Sequence, residues 1–182
     1  MICPAPLTKK DQNGFTLVEL LIVVSLIAII TGTMVPNFSS YIQNQNLRQA
    51  QEQIKNDLRD LQNRALSGFQ ALSGAGNFKY WGVKFTDEQK YYVFFKSTAS
   101  DVSTCNGITT GEERSENLPG NAVVKNGTYC LFFSFENGDI ITTGTTSIVV
   151  GYPNSSTDTS CYPIEFNTSG LIKGSTSSVA CE

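Results

Sequence analysis

Residues 15–35 read Phe-Thr-Leu-Val-Glu-Leu-Leu-Ile-Val-Val-Ser-Leu-Ile-Ala-Ile-Ile-Thr-Gly-Thr-Met-Val, an apolar run with few polar interruptions. At about 1.5 Å per residue, a helix of that length reaches roughly 31 Å, the thickness of a bilayer core. The run predicts a transmembrane helix over 15–36. Pro36 interrupts it, because proline lacks an N–H and clashes with the preceding turn. A kink or local melting is therefore expected near 32–36, with Gly32 helping. Beyond the proline, Leu47, Ala50, Ile54, Leu58, Leu61, Ala65, Phe69 and Leu72 recur at helical spacing and mark one face. The opposite face holds Arg48, Gln49, Glu52, Lys55, Asn56, Arg59 and Asp60. Arg48–Glu52 and Asp60–Arg64 stand as i,i+4 ion pairs. An amphipathic helix over 37–76 follows, closed by Gly74-Ala75-Gly76. A coiled-coil seam is the rival reading, but strand-like sequence comes next, so the stripe is read as core.

From Phe78 the period changes to two. Short strands are predicted at 78–85, 91–96, 123–125, 129–136, 139–142, 147–152, 162–167 and 171–173. Asn126-Gly127 and Asn137-Gly138 are favoured hairpin dipeptides, which predicts that 123–125 pairs with the strand after it, and 129–136 with 139–142. Ser169-Gly170 is a third expected turn. Aromatics crowd these segments: Tyr80, Trp81, Phe85, Tyr91, Tyr92, Phe94, Phe95, Phe132, Phe133 and Phe135. They fit a core that covers the helix better than a ligand groove. The fold class expected is α+β, with a long N-terminal helix on an antiparallel β-rich domain at 77–182. The stretches 97–121 and 153–160 read as loops, with Glu112, Glu113 and Glu116 a solvated acidic patch.

Composition narrows the function. The chain has 182 residues, 16% charged against roughly 25% for a typical soluble domain, and no histidine. Without histidine there is no Ser-His-Asp triad, no Cys-His pair and no His-ligated metal. No phosphate loop, carboxylate cleft or metal cluster stands out either, so neither enzyme chemistry nor a cofactor is expected. Lys9 and Lys10 precede the apolar run, which places the N-terminus on the cytoplasmic side and the later domain outside. The run is too long for an ordinary secretory signal, and no Ala-x-Ala site follows it.

Glu19 is out of place in an apolar helix, where an unpaired carboxylate costs several kcal/mol. It needs a cationic partner. Gly14-Phe15-Thr16-Leu17-Val18-Glu19, behind a short leader with two lysines, resembles the signal of type IV prepilins and pseudopilins. The resemblance implies a leader over 1–14, cleavage between Gly14 and Phe15 by a prepilin peptidase/N-methyltransferase, and N-methylation of Phe15. It also implies that Glu19 pairs with the new N-terminal ammonium of a neighbouring pilin-like subunit, once lipid has been left for a filament. The partners implied are other pilin or pseudopilin subunits, the peptidase, an inner-membrane assembly platform, and membrane lipid before assembly. More loosely, Leu58-Arg59-Asp60-Leu61-Gln62-Asn63-Arg64-Ala65, Tyr80-Trp81-Gly82-Val83-Lys84-Phe85 and Ile164-Glu165-Phe166-Asn167-Thr168-Ser169-Gly170 resemble the GspH/FimT-like minor pseudopilins. That implies a bacterial inner-membrane protein serving a secretion pseudopilus or a type IV pilus.

Cys3 falls in the leader. Cys105, Cys130, Cys161 and Cys181 remain, and an even count outside the membrane predicts two disulfides rather than a zinc site, since no C-x₂-C spacing exists. Three connectivities are open. Pairing neighbours in sequence favours Cys105–Cys130 and Cys161–Cys181, each loop worth about 3 kcal/mol in the chain-entropy model. Four N-x-[ST] matches, at Asn37, Asn126, Asn154 and Asn167, are expected from composition alone. Removing the leader takes away two lysines and one aspartate, leaving a net charge of −4. DNA binding, the second function class, would therefore need a local cluster, for which Lys79, Lys84, Lys90 and Lys96 are the candidates.

Overall fold

The computed structural model describes residues 14–67, 78–98, 102, 105, 112–125, 127–153 and 160–181, apart from the side chains of 33–37, 112–113 and 160. The described residues form one long helix, α1 (Leu17–Leu66), and ten strands. In chain order these are β1 (Tyr80–Phe85), β2 (Tyr91–Ser97), β3 (Glu112–Asn117), β4 (Val123–Lys125), β5 (Tyr129–Ser134), β6 (Ile140–Thr142), β7 (Ser147–Gly151), β8 (Ser160–Phe166), β9 (Ile172–Gly174) and β10 (Val179–Ala180). Contacts divide the chain at Tyr41/Ile42 into two compact units. The fold class is α+β, pilin-like in its layout of an N-terminal helix and antiparallel sheet.

In the second unit the strands form two sheets, ordered β3-β2-β1-β5-β6 and β10-β8-β7-β4, with β9 also on β8. Every pairing is antiparallel. Alternation decides which side chains meet α1, because successive residues of a strand face opposite ways. Trp81, Val83 and Phe85 of β1, Tyr92 and Phe94 of β2, and Tyr129, Leu131 and Phe133 of β5 join the helix stripe in one core. Leu47, Ala50, Ile54, Leu58, Leu61 and Ala65 are all buried there, matching the sequence spacing. The second sheet closes the same core with Val124, Ile148, Val150, Ile164 and Ile172. Phe69, Leu72 and the Gly-Ala-Gly stop lie outside the described residues.

The reverse face of the first sheet is apolar too. Phe95, Phe132 and Cys130 are buried there, with Tyr80, Val102, Cys105 and Ile141 packed around them. The Phe95 ring lies across Gly82, where an added Cβ would come within 2.2 Å of it. Any side chain at Gly82 would displace that ring.

Polar side chains on the flanks of the helix fix how it seats. Gln51 is buried, and its Nε2 donates to the carbonyls of Pro163 (2.8 Å) and Ser175 (2.9 Å). Pro163 has no N–H for the ladder, yet its carbonyl also accepts from the Ser175 N–H. Tyr92 donates its phenol to Asp57 on the helix. Burial, then the Asp57 carboxylate, pushes that phenol well above the usual tyrosine range. Asp60–Arg64 forms at 2.8 Å, whereas Glu52 pairs with Lys55.

Three sequence expectations are corrected. Asn126-Gly127 does not close a hairpin, since β4 pairs with β7 in the other sheet. β5 already has β1 and β6 on its two sides, so no edge is left for β4. The Gly127 N–H instead bonds to Asp87 at 3.1 Å, and the Asp87 N–H to the Thr128 hydroxyl at 3.3 Å, which ties this crossing to the β1–β2 turn. Second, 112–117 is a strand within the expected loop, with Arg114 on Glu116 at 3.0 Å. Third, Lys96 is buried against Trp81, its Nζ 4.9 Å from the ring, and Lys84 lies on the opposite face, so these two of the four lysines share no surface. The β5–β6 pairing and the Asn167–Leu171 turn, with Gly170 at φ 83°, are as expected. Asn37, Asn126 and Asn154 fall outside the described side chains, while Asn167 takes the Leu171 N–H in that turn.

Cys105 is bonded to Cys130 and Cys161 to Cys181, with Cα separations of 5.6 and 5.3 Å. Purified protein is accordingly expected to show no reactive thiol at these four positions until reduced. Four reactive thiols, or stoichiometric zinc, in native protein would exclude both bonds. Replacing Gln51 by Ala leaves the Pro163 carbonyl with only the Ser175 N–H and takes one donor from the half-buried Ser175 carbonyl, an expected loss of about 1 kcal/mol. Urea titration followed by the fluorescence of Trp81, the chain's one tryptophan, measures it.

Candidate functional site

The first described residues build a helix start. Thr16 precedes α1, and its carbonyl accepts the Leu20 N–H at 3.2 Å, the first intrahelical bond. Its hydroxyl accepts the Glu19 N–H, also at 3.2 Å. That is an N-cap, and Thr16-Leu17-Val18-Glu19 has the spacing of a capping box. Sequence reading singled out Glu19 but not Thr16, although the Thr-x-x-Glu pattern was there to find it. Glu19 lies in the first turn, where the unpaired N–H groups and the helix dipole favour negative charge. A carboxylate in an apolar helix is tolerated best at this end.

Phe15 is 87% exposed, immediately before the cap. Gly14 meets nothing, since a Cβ built there has no atom within 4 Å. From Leu17 to Ile30, eleven large apolar side chains are half or more exposed, at neighbouring positions rather than in a stripe. Two hydroxyls along this stretch turn inward to the helix backbone: Ser25 donates to the Ile22 carbonyl at 2.8 Å and Thr31 to that of Ile27 at 2.7 Å. A helix apolar all round needs a cover. Among the described residues no helix is long and apolar enough to cross a membrane. From Leu17 to Gly32 the described apolar side chains occupy about 24 Å of helix, against roughly 30 Å of hydrocarbon. Pro36 falls inside α1, its side chain outside the description.

Among the described residues no group of His, Cys, Asp or Glu could hold a metal ion. Among the described residues two shallow clefts are seen on the domain. One, of about 250 Å³, lies beside Arg48, Gln51, Tyr162 and Ser175; the other, of about 180 Å³, lies beside Arg64, Trp81, Phe94 and Arg114.

The described residues thus give a capped, apolar helix start and an α+β layout of pilin-like kind. Residues 9–35 match the family model described as the prokaryotic N-terminal methylation motif, the prepilin signal of type IV pilins and pseudopilins. Proteins with this motif are structural rather than catalytic, and the motif implies other pilin subunits and a prepilin peptidase as partners. No curated protein and no solved structure matches the chain.

If the Gly14–Phe15 bond is where a prepilin peptidase cuts, a side chain at Gly14 obstructs that enzyme, while a Cβ there meets no atom among the described residues. Gly14→Val is therefore expected to yield a full-length precursor whose domain melts as the parent does. Mature chains beginning at Phe15, found by mass spectrometry of this variant, would overturn the cleavage assignment.

Proposed function

We propose that this protein is a minor pilin or pseudopilin subunit. After cleavage at Gly14–Phe15 and methylation of Phe15, it is handed from the bacterial inner membrane into a secretion pseudopilus or a type IV pilus. One observation carries the reading: the exposed apolar side chains of Leu17–Ile30 on one capped helix. Burying such side chains is worth about 1.5–3 kcal/mol each, so they cannot stay in water. Lipid covers them before assembly, by this reading with the N-terminus cytoplasmic and the domain outside, and neighbouring helices cover them afterwards. Pro36 gives the helix a place to yield when it moves from one cover to the other. The protein acts by packing, not by catalysis.

Glu19 sets the register. In lipid it sits at the helix start, near the polar interface. Among packed helices it is desolvated, and the Phe15 ammonium of a neighbour neutralises it. A subunit out of step leaves a charge buried without a partner, which is strongly unfavourable. The alternative, a tip subunit that binds DNA, is less well supported, because Lys96 is buried and Lys84 faces away from it.

Glu19→Val and Glu19→Gln should both keep cleavage and the Thr16 cap, since the cap uses the Glu19 backbone. Both should lower incorporation into filaments, measured as co-purification or crosslinking with other pilin-like subunits. Incorporation unchanged in both variants would remove Glu19 as the register residue. Retention by DNA-cellulose that falls steeply with salt would favour the tip-binding alternative.

A further inference from the structure

The Thr16 cap decides which backbone carbonyls at the N-terminus stay out of the helix. Within α1 each N–H donates to the carbonyl four residues back, and the first such bond runs from Leu20 to Thr16 at 3.2 Å. A helix begun one residue earlier would take the Glu19 N–H for the Phe15 carbonyl. The Thr16 hydroxyl holds that N–H instead, also at 3.2 Å. Begun two residues earlier, the helix would tie the Gly14 carbonyl to the Val18 N–H. Gly14, Phe15 and Thr16 all precede α1, so the Gly14 carbonyl stands clear of the ladder.

That carbonyl belongs to the Gly14–Phe15 bond. Hydrolysis adds water across the bond, leaving a carboxyl on Gly14 and an amine on Phe15. Attack falls on the carbonyl carbon, and negative charge develops on its oxygen, which must be open to donors from the enzyme. An oxygen bonded to Val18 inside a helical turn is not open. Among the described residues nothing else crowds the bond: Phe15 is 87% exposed, and a Cβ on Gly14 has no atom within 4 Å.

The apolar stretch after the cap works against this opening. In the lipid cover that the assembly reading gives it, an unpaired N–H of the first turn is costly, and the nearest carbonyls upstream are those of Phe15 and Gly14. Threonine resolves the conflict, since its side chain supplies an acceptor while its own backbone stays outside the helix. Gly14 favours the same outcome, glycine being among the poorest helix formers.

We propose that Thr16 is a positioning residue for leader cleavage: its hydroxyl stops α1 at Leu17 and holds the Gly14–Phe15 bond outside the helix, where a prepilin peptidase reaches it. This rests on the reading of Gly14–Phe15 as the bond that is cut. Thr16 acts through the backbone, not by contact with the enzyme.

The full chain in detergent, incubated with a prepilin peptidase, provides the test, with intact mass following precursor and product over time. Thr16→Val keeps the shape of the side chain and loses the acceptor. Its rate of cleavage should fall by roughly 2- to 30-fold, the range of a lost N-cap. Thr16→Ser and Thr16→Asn keep a capping oxygen and should be cut within about twofold of the parent. Leu17→Pro reaches the same backbone by another route, because proline suits the first helical position and keeps the residue before it out of the α region. Added to Thr16→Val, it should restore most of the lost rate. The proposal fails if Thr16→Val is cut as fast as the parent, or if Leu17→Pro restores nothing. It fails equally if Thr16→Asn is as slow as Thr16→Val, which would mark a direct contact between threonine and enzyme. A parent not cut between Gly14 and Phe15 overturns the processing reading and this inference together. A parent cut there, with Thr16→Val keeping pace, overturns this inference alone.

Discussion

Everything in the globular unit depends on one seam, the stripe from Leu47 to Ala65 against two sheets. Either sheet alone would have an apolar face open to water; the helix closes both at once. Six stripe residues are at most 3% exposed, with Ala50 and Ala65 small enough for close approach. At about 2–5 kcal/mol for each large-to-small change in such a core, the seam outweighs any single surface contact in the domain. Its polar margins give the seam its register. Gln51 bonds to the second sheet, and Asp57 and Gln53 to Tyr92 of the first. A helix rotated by one position would lose these bonds as well as the packing.

The disulfides act where this seam does not reach. Cys105–Cys130 ties residue 105 to the reverse face of the first sheet, beside Phe95 and Phe132. Cys161–Cys181 fastens the end of the described chain to β8, next to Gly151, whose missing Cβ leaves room for the Cys161 sulfur. Both bonds therefore hold peripheral segments on a core that hydrophobic packing has already organised.

Local pattern was legible in the sequence, and non-local pairing was not. The helix stripe followed from spacing alone, because 3.6-residue periodicity is set by neighbours on one element. The β5–β6 hairpin followed from Asn137-Gly138. By the same rule Asn126-Gly127 misled: the dipeptide permits a tight turn, but β4 finds its partner in β7, fixed by strand order across the domain. β3 was hidden because Glu-Glu-Arg-Ser-Glu-Asn has no apolar alternation. It is an edge strand, and charge there guards against pairing with other chains. Gln51 drew no notice in the sequence, and only the carbonyls of Pro163 and Ser175 show why an amide is buried there. At the N-terminus Glu19 was conspicuous because a carboxylate contradicts its surroundings. Thr16 was overlooked because a threonine beside an apolar run contradicts nothing.

The capping geometry bears on how one carboxylate can serve in two settings. Glu19 is the third residue of α1, so its backbone N–H is spoken for by Thr16 while its side chain stays free of that bond. The helix start thus survives whatever the carboxylate does. Near the unpaired N–H groups of the first turn, the negative charge is favoured by about 0.3–1 kcal/mol at an exposed site, and by more where water is excluded. The same dipole would disfavour an ammonium drawn up to this helix end, were Glu19 not there to meet it. By position the carboxylate complements its own helix terminus, and under the proposed assembly it also faces the ammonium of a neighbour. Neither role touches the core that begins at Leu47. Under the proposed assembly, stability of the domain and recruitment through the helix are therefore separately adjustable.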